Sequence, residues 1–228
     1  MTDRTALVVG ASRSLGLALA GELAERGFDV VATVRGETPE ALAALADRTG
    51  RVTVEHLDIT DTGQIDALRE RLGDRRIDLL FVNAGITDAD VPAAQVPTEV
   101  FVEVMVTNAL SPMRVVEGLA PLVPPTGTIG VMSSRQGSIG FNTRGGHEVY
   151  RASKSALNQL MRSYAARTAQ DPRTLLLLHP GWVQTELGGP GARLTVAESA
   201  HGVAEVLVGH AHDGGLQFLD HTGAVVPW

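Results

Sequence analysis

The 228-residue sequence contains no cysteine, which excludes disulfides, thiolate catalysis and cysteine-ligated metal. It also lacks any run approaching the roughly 18 apolar residues that a membrane-spanning helix requires. Its opening, MTDRTALVVGAS, has no charged region, apolar core and cleavage site in succession and enters a strand pattern directly. A soluble, cytoplasmic protein is the simplest reading of these absences. Basic charge is short as well: 19 Lys and Arg against 26 Asp and Glu leave a formal charge of −7, the opposite of the broad basic surface on which nucleic-acid affinity rests. A small anionic ligand needs only a local positive site. The histidines are scattered without an HExxH pattern, and His210 and His212, although close, fit a surface loop, so no metal site is expected. No internal repeat and no long Pro/Ser-rich linker divides the chain, so residues 1–228 read as one domain.

What is present is an alternation of short β-branched runs with longer Ala/Leu-rich segments. Strands are expected at 6–9, 29–34, 52–55, 77–82, 128–132, 174–178 and 215–219. Helices are expected at 15–26, 39–48, 63–72, 100–122, 150–168 and 196–208. Strand, helix, strand in succession predicts an α/β fold: a Rossmann-type, doubly wound parallel sheet of about seven strands covered on both faces. The all-apolar run Leu175-Leu176-Leu177-Leu178 suits a strand buried on both sides. Ser111 and Pro112 fall in the middle of the 100–122 segment, which reads as two helices or one kinked helix.

The first strand runs into Gly10-Ala11-Ser12-Arg13-Ser14-Leu15-Gly16 and then a helix. In that context a glycine turn brings backbone N–H groups and a helix N-terminus up to a diphosphate. Ser14 stands where a third glycine is expected. The second strand ends Ala32-Thr33-Val34-Arg35, with an arginine where a carboxylate would accept from an adenosine ribose. If the first two strands are neighbours, Arg13 and Arg35 converge on one phosphate, which suits the 2′-phosphate of NADP(H) better than the bare diol of NAD(H). Asp58-Ile59 and Asn83-Ala84-Gly85 follow the third and fourth strands, at the sheet edge where open α/β proteins bind ligands.

Tyr150 and Lys154 stand four apart in a helical segment, about one turn, so their side chains share a face. A free tyrosine titrates near pKa ~10, and an adjacent ammonium is expected to lower that value toward useful range. The pair is thus suited to moving a proton onto or off a carbonyl oxygen.

Gly10–Gly16, Asp58, Asn83-Ala84-Gly85, Asn108, Ser133-Ser134, Tyr150, Lys154 and Pro180-Gly181-Trp182-Val183-Gln184-Thr185, in this order, resemble the classical short-chain dehydrogenase/reductase family. SSRQGSIG, GGHEVYRASKSALNQL, HPGWVQTELGG and FLDHTGAVVPW resemble its C-factor/sniffer-like branch, which includes carbonyl reductases. The resemblance implies a catalytic tetrad of Asn108, Ser134, Tyr150 and Lys154. Tyr150 would be the general acid, Lys154 would depress its pKa and hold the nicotinamide ribose, Ser134 would hydrogen-bond the carbonyl oxygen, and Asn108 would orient a water and the backbone near Lys154. Ser134 is chosen over Ser133 because the second serine faces the site in similar proteins and strand neighbours point to opposite sides. It implies NADP(H) as cofactor, contacted by Gly10, Ser12, Arg13, Ser14, Leu15, Gly16, Arg35, Asp58, Ile59, Asn83, Ala84, Gly85, Tyr150, Lys154, Pro180, Gly181, Val183 and Thr185. A homodimer or homotetramer is the assembly it implies.

The expected reaction is reduction of a ketone or aldehyde to an alcohol. The alternatives are an NADP-binding sensor or signalling protein with little turnover, or an epimerase or dehydratase on the same fold. Gln136, Phe141, Asn142, Arg144, His147, Trp182 and Leu187 are candidates for the substrate wall. The short stretch between Gln184 and Ala197 leaves little material for a lid.

Overall fold

The computed structural model describes residues 4–228. Seven strands form one parallel sheet: β1 (Arg4–Val9), β2 (Phe28–Val34), β3 (Val52–His56), β4 (Leu79–Val82), β5 (Thr128–Met132), β6 (Thr174–His179) and β7 (Gly215–Asp220). Their spatial order is β3-β2-β1-β4-β5-β6-β7. The helices are α1 (Ser14–Glu25), α2 (Glu40–Thr49), α3 (Thr62–Leu72), α4 (Thr98–Met105), α5 (Ser111–Leu119), α6 (Glu148–Arg167) and α7 (Val196–Gly209). The expected elements form with ends displaced by at most two residues, except the 100–122 segment, which is divided.

The alternation of side chains along each strand builds two cores. Leu7 and Val9 of β1 pack with Ile65 and Leu68 of α3, Val116 of α5, and Leu157 and Met161 of α6. Ala6 and Val8, pointing the other way, pack with Leu19 and Leu23 of α1, Leu42 of α2, and Val203 and Leu207 of α7. The sheet is therefore buried on both faces, as its unbroken apolar strands require.

The strand order reverses between β1 and β4, so the loops after these strands part and leave a crevice at the carboxyl edge. β1 and β2 are neighbours, with Val9 opposite Thr33. The condition for bringing Arg13 and Arg35 to one end of the crevice is thus met.

The segment expected as one kinked helix or two is a continuous helical path. A five-residue π turn, Val106–Leu110, joins α4 to α5. Pro112 has no N–H to offer the carbonyl four residues back, and a change of helical register there is the ordinary consequence. Asn108 sits inside that turn, fully buried.

Candidate active site

The glycine turn is built by close packing beneath the loop. Gly10 N–H donates to Thr33 Oγ1 at 3.1 Å, and Asn83 Nδ2 donates to the Gly10 carbonyl at 2.8 Å. A Cβ at Gly16 would lie 2.0 Å from the Gly10 oxygen and 2.7 Å from Asn83 Nδ2. Gly16 thus lets α1 seat under the loop, and it is not among the residues that line the cavity. Ser14 takes the left-handed conformation, φ 47°, that glycine would adopt without strain. No side chain caps α1, so the N–H groups of its first turn have no side-chain acceptor, and Ser14 and Leu15 of that turn line the cavity.

A cavity of about 1270 Å³ runs along the carboxyl edge of the sheet. Gly10, Ser12, Arg13, Ser14, Leu15, Arg35, Asp58, Ile59 and Asn83-Ala84-Gly85 line one end. Ser134, Tyr150, Lys154, Pro180, Gly181, Val183 and Thr185 line the rest. Asp58 Oδ1 accepts from the Thr60 N–H and hydroxyl at 2.9 and 2.7 Å. These bonds, opposed by burial and aided by the Arg35 charge, hold the carboxyl below its ordinary range. Arg13 does not stand free beside Arg35, because its guanidinium pairs with Glu186 across the cleft mouth.

The catalytic candidates gather on α6 and the loops packed against it. Lys154 Nζ donates to the Met132 carbonyl at 3.0 Å, and its ammonium lies 5.9 Å from the centre of the Tyr150 ring. Asn108 Nδ2 donates to the Ile86 carbonyl at 2.8 Å and to Ser153 Oγ at 3.0 Å, while its Oδ1 accepts from the Ile86 N–H at 2.8 Å. Asn108 therefore ties the loop after β4 to α6, one residue before Lys154. It does not itself reach the cavity wall.

The two serines part at the end of β5. Ser133 Oγ is spent on Asn158 Oδ1 at 2.6 Å, whereas the Ser134 hydroxyl accepts from Gln136 N–H at 3.1 Å and lies close enough to Tyr150 to favour its anion. Gly137, in the turn Arg135–Gly137, lies against α6: a Cβ there would come within 2.9 Å of the Lys154 backbone.

Burial reverses the expected direction of the tyrosine shift. The Tyr150 phenol is pushed up to about 12, because desolvation of its anion outweighs the opposing influence of Ser134. Desolvation also pushes Lys154 down, to about 8. Tyr150 thus keeps its proton throughout the neutral range and yields it only to an oxygen that is gaining negative charge. Lys154 is the one lysine in the chain, which makes its shift directly measurable. Protein carrying 13C-labelled lysine should show a single side-chain Cε resonance with a titration midpoint near 8, and a midpoint near the ordinary ~10.4 would contradict the burial argument.

Of the proposed substrate-wall residues, Gln136, Phe141, Arg144, His147, Trp182 and Leu187 line the cavity. Asn142 does not; its Oδ1 accepts from Gly145 N–H at 3.1 Å and is spent within the loop. Arg135, Arg151 and His179 also line the cavity and were not anticipated. Burial first, with His221 and Arg135 adding and Asp220 opposing, pushes His179 down to about 4, so its ring is neutral at neutral pH. The short stretch after Pro180-Gly181 is braced by Trp182 Nε1, which donates to the Gly188 carbonyl at 2.7 Å. It flanks the cavity through Glu186, Leu187, Gly188 and Gly189.

A family model described as enoyl-(acyl carrier protein) reductase matches residues 10–205. The chain is 54% identical to a short-chain dehydrogenase/reductase from Burkholderia multivorans solved with bound NADP, with a TM-score of 0.97 over 99% of this chain and 100% of that one. It is 37% identical to a carbonyl reductase from Pseudomonas aeruginosa PAO1 in complex with NADP, with a TM-score of 0.93 over 100% of both chains. C-signal of Myxococcus xanthus is 35% identical over 154 residues, covering 67% of this chain and 93% of that protein.

Proposed function

Because the chain belongs to the short-chain dehydrogenase/reductase family, we propose that it is an NADPH-dependent oxidoreductase that reduces a ketone or aldehyde to an alcohol. The observation that carries this reading is the convergence of Tyr150, Ser134 and Lys154 on the same cavity that the glycine turn, Arg13 and Arg35 enclose at its other end. The cavity's donor set fits the cofactor. Uncapped N–H groups at the start of α1 suit a diphosphate, and Arg35 suits an additional phosphate, which Arg13 would join only on parting from Glu186. NADPH, when bound, supplies the hydride that reduces the carbonyl carbon.

The protein's own part is orientation and proton supply. Ser134 and Tyr150 hydroxyls polarise the carbonyl oxygen, and Tyr150 transfers its proton to that oxygen as negative charge builds there. The Lys154 ammonium, close to the Tyr150 ring, stabilises the resulting phenolate and would hold the nicotinamide ribose. Asn108 acts through the backbone it fixes, keeping the loop after β4 and α6 in register. We further propose that the molecule is one domain acting as a homo-oligomer in the cytoplasm, in line with the sequence-based expectation.

Following NADPH absorbance against a panel of carbonyls that includes quinones and ketosteroids tests the reaction. Oxidation coupled to alcohol formation is the expected result. Tight NADPH binding without oxidation across the panel would favour the sensor reading to which the C-signal similarity points. Cofactor recovered unchanged after product formation would favour epimerisation or dehydration.

Cofactor preference rests on Arg35, which lines the cavity at the end of β2. Replacing it with Ser removes charge-assisted hydrogen bonds of about 1.5–3 kcal/mol, so NADPH affinity should fall by about 10- to 100-fold while NADH affinity stays nearly constant. Titrating both cofactors against both proteins checks this; an equal loss for NADH would remove Arg35 from phosphate recognition.

A further inference from the structure

The cavity has more positive charge than the cofactor's phosphates account for. Arg13, Arg35, Lys154, Arg135, Arg144 and Arg151 line it, against the carboxylates of Asp58 and Glu186 alone. Asp58 lies at the Arg35 end, and Glu186 is paired with Arg13. The excess is therefore concentrated on the wall beside Tyr150, in a protein whose overall charge is −7.

Arg135, Arg144 and Arg151 make no ion pair among the described residues. Arg135 directly follows Ser134, and its guanidinium stacks 4.0 Å from the centre of the Phe141 ring, which holds it without neutralising it. Arg151 directly follows Tyr150 and donates from Nε to the Gly146 carbonyl at 2.8 Å, leaving its terminal N–H groups uncommitted. Three carboxylates of adjoining segments accept hydrogen bonds from other groups. Asp90 accepts from His147 N–H at 2.5 Å, Glu148 accepts from Ala93 N–H at 2.8 Å, and Asp220 accepts from Thr222 and Ala224. Unpaired guanidiniums in a partly enclosed cavity favour an oxyanion ligand, and the planar fork of each suits a carboxylate.

We propose that the substrate is a carbonyl compound bearing a carboxylate, held by Arg135, Arg144 and Arg151 while its carbonyl faces Tyr150 and its apolar body meets Phe141 and Trp182. This rests on the reductase reading above and adds the substrate's charge. The test compares 4-carboxybenzaldehyde with its methyl ester, which shares the aldehyde and the ring and lacks the anion. Turnover with NADPH should give kcat/KM at least about tenfold higher for the acid, carried by KM, and the advantage should shrink as salt is raised. The R135Q and R144Q variants should each bring the acid-to-ester ratio toward one.

Equal kcat/KM for the two aldehydes would overturn the carboxylate proposal and leave the reductase intact. If neither aldehyde is reduced, the reductase reading loses support, and calorimetric titration of both compounds into the protein decides the present proposal separately. Binding of the acid at least about tenfold tighter than the ester upholds it. Equal binding, or no binding of either, overturns it.

Discussion

Tyr150→Phe is expected to lower kcat/KM for carbonyl reduction by about 10²–10⁴-fold, the contribution of a positioned general acid, while leaving NADPH affinity within about threefold. The substitution removes one hydroxyl and keeps the ring, which is almost wholly buried against its neighbours. The hydroxyl is protonated at every pH at which the enzyme would be assayed, since burial pushes it up to about 12. Its loss therefore removes a proton donor and does not change a resting charge. Single-turnover oxidation of NADPH gives the rate, and fluorescence titration gives the affinity. The same change at Tyr164, the chain's other tyrosine, lies in the core away from the cavity and serves as the control. An undiminished rate in the Tyr150 variant would remove that residue from the mechanism.

The second large effect is expected from a residue with no chemistry of its own. Gly137→Ala should lower kcat/KM by about 100-fold and destabilise the fold by about 1–3 kcal/mol. The added Cβ would sit 2.8–2.9 Å from the Lys154 backbone carbon, Cβ and oxygen. Because most of these are backbone atoms of a packed helix, the turn must move away from α6. Ser134 begins that turn, and Ser155 and Asn158 of α6 both hydrogen-bond the Gly137 carbonyl. Displacing the turn therefore draws Ser134 away from Tyr150. Urea unfolding reads the stability, and kinetics with a carbonyl substrate reads the site. Normal turnover with normal stability would mean that the turn accommodates the methyl group and that Gly137 does not set the serine's position.

The sites of these two predictions differ in how openly the sequence displays them. Tyr150 and Lys154 are legible because helical spacing is fixed: residues four apart share a face in any helix. The glycine turn is legible because a strand, a turn and a helix occur in immediate succession, and the elements themselves follow from hydrophobic periodicity. Gly137 carries no such signal, since its role is a close approach to a helix that begins 11 residues later. Arg151 follows Tyr150 by one residue, which helical spacing turns away from the tyrosine's face; it lines the cavity nonetheless because a long side chain reaches around. One sequence signal for Lys154 is stronger than its spacing: it is the sole lysine among 19 basic residues.

The amino-acid sequence by itself determined the strand–helix alternation, the two-faced burial of the sheet, the crevice-forming turn at Gly10 and the order of the candidate catalytic residues. The first three follow from local geometry and side-chain periodicity; of the catalytic candidates only the Tyr150/Lys154 pair does, and Asn108 and Ser134 rest on the family resemblance. Only the tertiary structure decided that the Ser133 hydroxyl is spent on Asn158, where Gly16 and Asn108 act, and which arginines remain unpaired beside Tyr150. It also decided the direction of the tyrosine's pKa, because that depends on the balance between desolvation and neighbouring charge. A four-residue spacing states that an ammonium is near; it says nothing of how much water the fold leaves around the phenol.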